Sequence, residues 1–372
     1  MKSVLLFLCI LVLTAVAVLW VRHGGGDFYS DLTGTPQLRA EALEEVLSYP
    51  EPIGNVAVSS TGRVFFTVHP ESRPHGNKLL EFVDGASVPF PSLRLQSELF
   101  DTPLGIAIDR LNRLWVIDHG NHGLRTARIV AIDLETGNVL RDQRLDETIA
   151  PAGSLLQDLQ VSADGRTVVI ADASFWRKAP ALIVYDVETG EAWRVLEGHP
   201  SVAAENFIIR TAGKPMQYLG GIVALRGGVD GIALGPEWLY YGALNGSGLY
   251  RIRLKDLLNR RLPASQLATK IDRHSNKPLS DGLSIDTDGR VYVTDVEHSA
   301  VFRIGPDSGL TTLIQSPQLR WPDALSFGPD GYLYVADSAL PELILKSDEH
   351  IRAQGPYRIF RIQTGSLGIP GQ

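Results

Sequence analysis

Two stretches of the chain decide its fold: Asp281-Gly-Leu-Ser-Ile-Asp-Thr-Asp-Gly-Arg-Val-Tyr-Val293 and Asp323-Ala-Leu-Ser-Phe-Gly-Pro-Asp-Gly-Tyr-Leu-Tyr-Val335. In both, a short alternating strand leads to a turn that ends in glycine, and a strand of β-branched and aromatic residues follows. This order is typical of a β-hairpin. Two copies whose starts are 42 residues apart indicate that the chain is built from a repeat.

The same phrase occurs six times, with starts at residues 54, 104, 157, 230, 281 and 323. A third strand follows each hairpin, and a fourth follows in most units. Four antiparallel strands in a period of about fifty residues are typical of a propeller blade. The sequence therefore predicts an all-β protein with the architecture of a six-bladed β-propeller, interrupted by a long insertion around residues 198–228.

The ring is predicted to be closed by an N-terminal strand. The sixth unit has no room for a fourth strand before Gln372, whereas the segment Leu43–Tyr49 precedes the first unit as the fourth strands precede later units. Pairing this segment with the last blade would remove an exposed sheet edge. Residues 40–372 are thus predicted to form one propeller domain.

The N-terminal residues have a different character. Residues 1–24 contain an unbroken apolar run from Val4 to Val21, which predicts a signal peptide or a membrane anchor. Ala15-Val16-Ala17 offers a cleavage site within that run, so both alternatives stay open. Residues 25–39 lack periodicity and are interpreted as a tether. Either alternative predicts an exported protein, periplasmic or extracellular. If the segment is not cleaved, it anchors the protein in the membrane at its N-terminus.

The charge of the chain limits its partners. The formal net charge is -7, and no strong basic patch stands out, which argues against a nucleic-acid partner. A cation or another small molecule suits this charge better. We expect a monomer that contacts a membrane only through its N-terminal segment.

In a propeller, the start of the first strand and the end of the second strand of every blade lie on one face. The first strands place five polar residues there: Asn55, Asp158, Asp230, Asp281 and Asp323. The second strands add His69, Asp118, His119, Asp172, Ser174, Asn245, Asp295, Glu297, His298, Asp337 and Ser338. We predict a ligand site formed by Asn55, Asp158, Asp230, Asn245, Arg273, His274, Asp281 and Asp323, with Asn245, Arg273 and His274 lining its rim.

Carboxylates that converge near an axis repel each other unless a cation, a donor-rich ligand or a raised pKa offsets the repulsion. Asp230 and Asp281 are the predicted metal ligands and the candidate catalytic residues. Their oxygen ligands would suit calcium, magnesium or manganese rather than zinc. A structural alternative stays open for each aspartate, because an aspartate before an inner strand can cap neighbouring backbone N–H groups. His119 and His122 are interpreted as loop histidines.

Several motifs together resemble the major royal jelly protein and yellow family, in its bacterial branch, over residues 40 to 365. They are Arg113-Leu-Trp-Val-Ile-Asp-His-Gly, Pro180-Ala-Leu-Ile-Val-Tyr-Asp, Gly231-Ile-Ala-Leu, Trp238-Leu-Tyr-Tyr, Arg273-His-Ser-Asn and Trp321-Pro-Asp-Ala-Leu. The resemblance implies a six-bladed propeller, export and, in some insect members, a channel that holds small amines.

The repeat layout is similar, more distantly, to gluconolactonase-like propellers, which hold a divalent metal through a Glu, two Asn-type positions and an Asp. That resemblance implies that their Asp corresponds to Asp281 and one Asn to Asp230. Their Glu and second Asn fall on Gly54 and Gln157, which depart from the pattern. Three functions follow as hypotheses: binding of a small polar or cationic molecule, a metal-dependent lactonase or esterase, and a tautomerase that uses an axial carboxylate as general base.

Overall fold

Six four-stranded antiparallel sheets surround a common axis, which confirms the predicted all-β, six-bladed propeller. The protein is described by a computed structural model that covers residues 2–372, apart from the side chain of Asp330. The helices are α1 (Lys2–His23), α2 (Leu93–Glu98), α3 (Gly120–Gly123), α4 (Leu254–Leu257), α5 (Ala264–Ala268) and α6 (Asp348–Ala353). Only α1 is long, and its length and mean hydropathy of 3.1 are consistent with a signal or an anchor segment.

The chain begins the propeller with a single strand and then forms three consecutive blades. The single strand is β1 (Glu44–Tyr49). The first blade contains β2 (Ile53–Val58), β3 (Val64–Val68), β4 (Leu79–Val83) and β5 (Ala86–Pro89). The second contains β6 (Pro103–Ile108), β7 (Arg113–Asp118), β8 (Arg128–Asp133) and β9 (Val139–Arg144). The third contains β10 (Leu156–Val161), β11 (Thr167–Asp172), β12 (Ala181–Asp186) and β13 (Ala192–Val195).

Two small hairpins separate the third blade from the fourth. They are formed by β14 (Arg210–Thr211), β15 (Lys214–Pro215), β16 (Gln217–Tyr218) and β17 (Val223–Ala224). The fourth blade contains β18 (Val229–Leu234), β19 (Trp238–Ala243), β20 (Gly248–Arg253) and β21 (Asp272–Asn276). The fifth contains β22 (Leu283–Ile285), β23 (Val291–Asp295), β24 (Ala300–Ile304) and β25 (Leu310–Gln315). The sixth contains β26 (Pro322–Phe327), β27 (Tyr332–Asp337) and β28 (Tyr357–Gln363).

The sixth blade is completed by β1, as the sequence predicts. β1 pairs antiparallel with β28, and Leu47 lies opposite Ile359. Leu47 is buried in the apolar core between the sixth and first blades, so the closure is supported by packing as well as by backbone hydrogen bonds. The inner strands β2, β6, β10, β18, β22 and β26 contact one another in a closed ring.

The inner strands are buried on both faces, because each packs against the neighbouring blades. All six residues of β2, β6, β18 and β26 are buried. The hairpin turns that follow are tight, and Gly289 and Gly331 occupy them with φ angles of +81° and +75°. Glycine adopts this left-handed conformation without steric strain, which explains the glycine at the end of the turn in four of the six units.

The segment predicted to be a tether is bound to the propeller along much of its length. Asp27 forms a parallel bridge with Phe207, and the rings of Tyr29 and Phe207 lie 4.8 Å apart. Further along, the N–H of Leu38 donates a hydrogen bond of 2.9 Å to the carbonyl of Leu313. The lack of periodicity in this segment reflects an irregular extended path over blades four and five. Residues 25–39, interpreted from the sequence as a tether, therefore follow the surface of the propeller.

Candidate functional site

A cavity of about 340 Å³ opens at the face where the inner strands begin and the second strands end. Three carboxylates form its floor. Asp230 lies in β18, Asp281 lies two residues before β22, and Asp323 lies in β26, so each comes from a different blade. The structure thus brings together three of the aspartates that the repeat predicts to converge.

Glycine next to these aspartates allows the blades to approach closely. A Cβ atom at Gly231 would overlap the carbonyl oxygen of Asp281, and one at Gly282 would overlap the carbonyl oxygen of Asp323. Gly231 directly follows Asp230, and Gly282 directly follows Asp281. The Asp-Gly pair of the repeat therefore supplies the carboxylate and the space that brings the next carboxylate near.

We expect Gly231→Ala to destabilise the protein by about 1–3 kcal/mol, because overpacking forces blades four and five apart. Thermal unfolding of the variant and of the parent chain measures this effect. Gly76→Ala is the matched control, since a Cβ atom at Gly76 meets nothing within 4 Å. Equal melting temperatures for the two variants would contradict the proposed close approach.

The oxygens of the floor are unequally satisfied. Trp321 Nε1 donates a hydrogen bond of 2.6 Å to Asp281 Oδ2, and the carboxyl group of Asp230 hydrogen-bonds to that of Asp281. By contrast, Oδ2 of Asp230 and Oδ2 of Asp323 are buried without a hydrogen-bond partner among the residues that the structure describes. Buried polar atoms without partners are costly and rare. Both aspartates line the cavity, which could hold a hydrogen-bond donor.

Burial and mutual repulsion raise the pKa values of the three aspartates that form the floor. Burial raises the pKa of Asp281 to about 7, although hydrogen bonds from Trp321 and Asp230 and the charge of Lys277 act against it. Burial, followed by the charge of Asp281, raises the pKa of Asp230 and of Asp323 well above the usual value. A cation bound among these groups would lower all three pKa values.

A buried lysine lies close to the floor. Lys277 is fully buried, and its Nζ donates hydrogen bonds to the carbonyls of Ala243 and Pro278 and to Ser280 Oγ, at 2.8, 3.1 and 2.8 Å. Burial lowers the pKa of Lys277 to about 7, and the nearby carboxylates oppose this effect. Sequence reasoning did not single it out, because a lysine after an edge strand is ordinarily solvated.

Asn55 and Asp158 lie along the same axis but do not line this cavity. Asn55 Nδ2 donates a hydrogen bond of 2.9 Å to Asp158 Oδ1, and both residues line a separate space of about 10 Å³ together with Gln372. Burial, followed by the charge of Asp281, raises the pKa of Asp158 to about 8. This pair therefore supports the floor electrostatically instead of forming its surface.

Two histidines and an ion pair form one wall of the cavity. The N–H groups of Glu71 and His122 donate hydrogen bonds to Nδ1 of His69 and Nδ1 of His119, at 3.1 and 3.0 Å. Because a backbone N–H can only donate, each neutral ring must carry its proton on Nε2. His122 Nε2 lies 2.8 Å from Glu71 Oε1.

The protonation of this wall follows from burial. Burial lowers the pKa of His69 to about 4 and that of His119 to about 3. Burial would raise the pKa of Glu71, but the hydrogen bond and charge of His122 outweigh it and lower the value to about 2. At neutral pH the wall therefore offers two uncharged N–H donors, and His69 Nε2 lies 3.8 Å from Asp323 Oδ2.

The repeat signals only part of this wall. His69 and His119 occupy equivalent positions after the second strands of blades one and two, and the sequence places them on the correct face. Glu71 and His122 lie in the loops that follow, where the blades share no pattern, and they were not predicted as site residues. His122, interpreted from the sequence as a loop histidine, lies in the short α3 segment, and its side chain lines the cavity.

Most of the remaining cavity lining is apolar. It includes Leu104, Leu155, Phe175, Trp176, Tyr218, Leu219, Val223, Leu225, Leu244, Leu340, Ile344 and Leu345. Tyr218, Leu219, Val223 and Leu225 belong to the insertion before the fourth blade. The insertion thus acts as a wall of the cavity, a role that its sequence does not reveal because it has no counterpart in the other units.

Asn245 does not line the rim. It is fully buried, and its Oδ1 accepts a hydrogen bond of 2.9 Å from the N–H of Gly227. Its Nδ2 donates to the carbonyls of Phe207 and Leu225. The side chain therefore braces the insertion against the fourth blade, which corrects its predicted position.

Arg273 and His274 are also absent from the cavity lining. Both lie in β21, the outermost strand of the fourth blade and hence the strand farthest from the axis. Arg273 donates a hydrogen bond of 3.1 Å to Ser247 Oγ, and His274 Nε2 lies 3.1 Å from the carbonyl oxygen of Gly305. The sequence prediction was wrong here because it did not recognise this segment as an outer strand.

The aspartates that end the second strands have a structural role. Asp118, Asp172, Asp295 and Asp337 each accept backbone N–H groups of nearby loops. Asp172 also forms a buried ion pair with Arg194, with an Nη1–Oδ2 distance of 2.9 Å. These groups are satisfied within the fold, unlike the unpartnered oxygens of the floor.

Comparison with known sequences identifies the family. The sequence profile described as Major royal jelly protein matches residues 102–359. The chain belongs to the major royal jelly protein family. Major royal jelly protein 3 of Apis mellifera is 24% identical over 209 residues. That alignment covers 53% of this chain and 36% of the bee protein, so this member of the family matches about a third of that relative's length.

Solved structures share the fold of this royal jelly family member. Regucalcin of Agrobacterium tumefaciens, described as a calcium-binding protein, has a TM-score of 0.56 at 14% identity and covers 88% of this chain and 96% of its own. A gluconolactonase of Xanthomonas campestris has a TM-score of 0.52 at 14% identity, with coverages of 87% and 92%. At this identity the likeness shows the propeller fold alone.

The gluconolactonase-like neighbours raise the question of a divalent metal. Asp230 and Asp281 could supply oxygen ligands, but Gly54 has no side chain at the position of the expected Glu, and Gln157 replaces an Asn-type ligand. Within residues 2–372 as described, no group of three His, Cys, Asp or Glu side chains is arranged to hold a metal ion. The donor set does not fit a metal centre of that kind in this member of the royal jelly family, so we derive no step through one.

Proposed function

We propose that this exported family member binds a small amine with an apolar or aromatic body in its propeller cavity. The observation that carries the proposal is that Asp230 and Asp323 line a largely apolar cavity, and that Oδ2 of each is buried without a hydrogen-bond partner among the described residues. An ammonium group donates up to three hydrogen bonds and neutralises the repulsion among the carboxylates.

The aromatic and apolar side chains of the remaining cavity lining favour a ligand that is not a sugar. Phe175, Trp176 and Tyr218 line it, and such rings pack against apolar bodies and attract cations through their faces. The Nε2–H groups of His69 and His119 can donate to one acceptor atom on the ligand. A sugar lactone would leave most of its hydroxyl groups against apolar side chains, which is unfavourable.

Calorimetric titration with 2-phenylethylamine tests the proposal. We expect binding at least tenfold tighter than for 2-phenylethanol, which has the same shape but no charge, because a charge-assisted hydrogen bond contributes about 1.5–3 kcal/mol. 3-Phenylpropionate should not bind, since its carboxylate would face the acidic floor. Equal affinity for the amine and the alcohol would contradict the proposal.

The hydrolase and the tautomerase remain the alternative proposals, and they predict different results. A metal-dependent lactonase should hydrolyse gluconolactone only after addition of calcium or manganese, and its melting temperature should rise with the metal. A tautomerase should convert a keto substrate without metal and lose that activity when Asp281 is replaced. Amine binding without any turnover favours the binding function.

A further inference from the structure

The apolar helix α1 ends at the mouth of the cavity. The ring of His23, at the end of α1, lies 5.7 Å from that of Phe175 and 5.5 Å from that of Trp176, two residues that line the cavity. Arg22 donates a hydrogen bond of 2.7 Å to the carbonyl of Arg177. Apart from Leu19 and His23, the described side chains of α1 are exposed, so the helix projects away from the propeller.

Almost no chain separates α1 from the folded domain. Arg226 donates a hydrogen bond of 2.7 Å to the carbonyl of Gly24, and Asp27 already pairs with Phe207. The three residues between His23 and Asp27 can span at most about 10 Å. A helix of 22 residues is about 33 Å long, which matches the apolar thickness of a bilayer. A bilayer that holds α1 must therefore lie close to the mouth.

The mouth carries the side chains that a lipid surface would cover. Trp176, Leu219 and Leu345 line the cavity and are 48%, 61% and 71% exposed. Large apolar side chains clustered at one opening mark an interaction surface. Trp20, near the end of α1, is also exposed, and tryptophan is enriched at the level of the lipid headgroups.

Three basic side chains near the mouth lack an acidic partner among the described residues. The chain has a net charge of -7, yet Arg22, Arg226 and Lys346 surround the opening. None of the three forms an ion pair with a carboxylate among the described side chains. Cations next to exposed apolar residues suit the interface of a bilayer that contains anionic lipids.

We propose that the cavity mouth rests on the membrane that α1 spans, and that the ligand enters from the lipid–water interface. The second part rests on the proposed function and defines the ligand class as an amphiphilic amine that partitions into the bilayer. Its apolar body would pass between Trp176 and Leu345, and its ammonium group would reach Asp230 and Asp323. The membrane then contacts the propeller itself as well as the N-terminal segment.

The test of docking uses the full chain with Cys9→Ser, one copy per nanodisc, in a bilayer that contains anionic lipid. A polarity-sensitive fluorophore is attached through Leu345→Cys at the mouth. The matched control is Leu367→Cys, because Leu367 is 63% exposed and its carbonyl binds Thr287 in a hairpin turn on the opposite face. Lipids with a spin label on the headgroup serve as quenchers.

We expect the headgroup quencher to reduce the fluorescence at position 345 at least twofold more than at position 367, with a blue shift only at position 345. Equal quenching at both positions would overturn the docking proposal. The proposal would also be overturned if the blue shift at position 345 occurred only in discs with several copies of the chain and the headgroup quencher had no effect on it. A second copy of the chain would then cover the mouth.

The entry route is tested separately with the unlabelled parent chain in nanodiscs of the same lipid composition. Octadecylamine in the bilayer should compete with 2-phenylethylamine and weaken its apparent affinity at least fivefold, whereas octadecanol should not. Absence of competition would overturn the entry route. If 2-phenylethylamine itself does not bind although position 345 is quenched, the proposed function fails while the docking proposal stands.

Discussion

Replacing Asp281 by asparagine should weaken amine binding on the order of 100-fold and, at the same time, raise the stability of the protein at pH 8. The loss of affinity follows from removing the charge partner of a buried ammonium group, which costs about 2–3 kcal/mol. The substituted side chain has nearly the same shape, and its oxygen can still accept the hydrogen bond from Trp321 Nε1. The variant should therefore fold.

The gain in stability depends on pH in a defined direction. The folded protein raises the pKa of Asp281 to about 7, from 3.8 for an ordinary aspartate. Between these two values the folded state retains a proton that the unfolded state releases, so the free energy of unfolding falls as pH rises. Asparagine does not ionise. Asp281→Asn should match the parent near pH 4 and exceed it by on the order of 2 kcal/mol at pH 8, with allowance for water in the cavity.

Asp172→Asn is the control for this prediction. Asp172 lies on the same face of the propeller, but it forms a buried ion pair with Arg194 and accepts the N–H of Leu155. Breaking a buried pair is destabilising by about 3–5 kcal/mol. This variant should melt at a lower temperature and retain amine binding. If Asp281→Asn also melted at a lower temperature at pH 8, Asp281 would have a structural role like that of Asp172.

The fold could be predicted because it is repeated. Each blade carries the same alternation, and four of the six carry the same turn glycine, so these weak signals support one another. Even the closure by β1 could be predicted, because the sixth unit lacks a fourth strand and one extra strand precedes the first unit. The path of residues 25–39 could not be predicted, because their contacts with Phe207 and Leu313 are irregular and leave no period in the sequence.

Those site residues that occupy a repeated position of the blades could be predicted from the sequence. Asp230, Asp281 and Asp323 occupy one repeat position, and their convergence follows from the rotation of the blades. Glu71 lies in a segment that belongs to the first blade alone. Tyr218 lies in the insertion between the third and fourth blades, and both residues line the cavity. Their positions depend on loop conformation and tertiary packing, which hydrophobic periodicity does not encode.

The error at Arg273 and His274 has a related cause. Only the inner two strands of each blade end beside the channel. A fourth strand runs along the outer edge, and its side chains cannot reach the axis however polar they are. Assigning Asp272–Asn276 to β21 before choosing rim residues would have excluded both side chains.

Amine binding should become tighter as pH rises from 5 to 8, with a proton released for every ligand bound. The amine selects the ionised form of the floor, but burial raises the pKa of Asp281 to about 7 and holds those of Asp230 and Asp323 well above their usual values. Below these pKa values the ligand must displace a proton. Each lower pH unit should then weaken binding by up to about tenfold for each proton displaced.

Calorimetry in phosphate and in Tris, whose ionisation enthalpies differ, measures the released proton directly. 2-Phenylethylamine itself stays protonated across pH 5–8, because an aliphatic ammonium group titrates at about pH 10, so any pH dependence of its binding comes from the protein. Its affinity should rise across pH 5–8 and then level off. Binding that strengthens toward pH 5 would instead mean that protonated carboxyl groups donate hydrogen bonds to an uncharged ligand, and the amine proposal would fail.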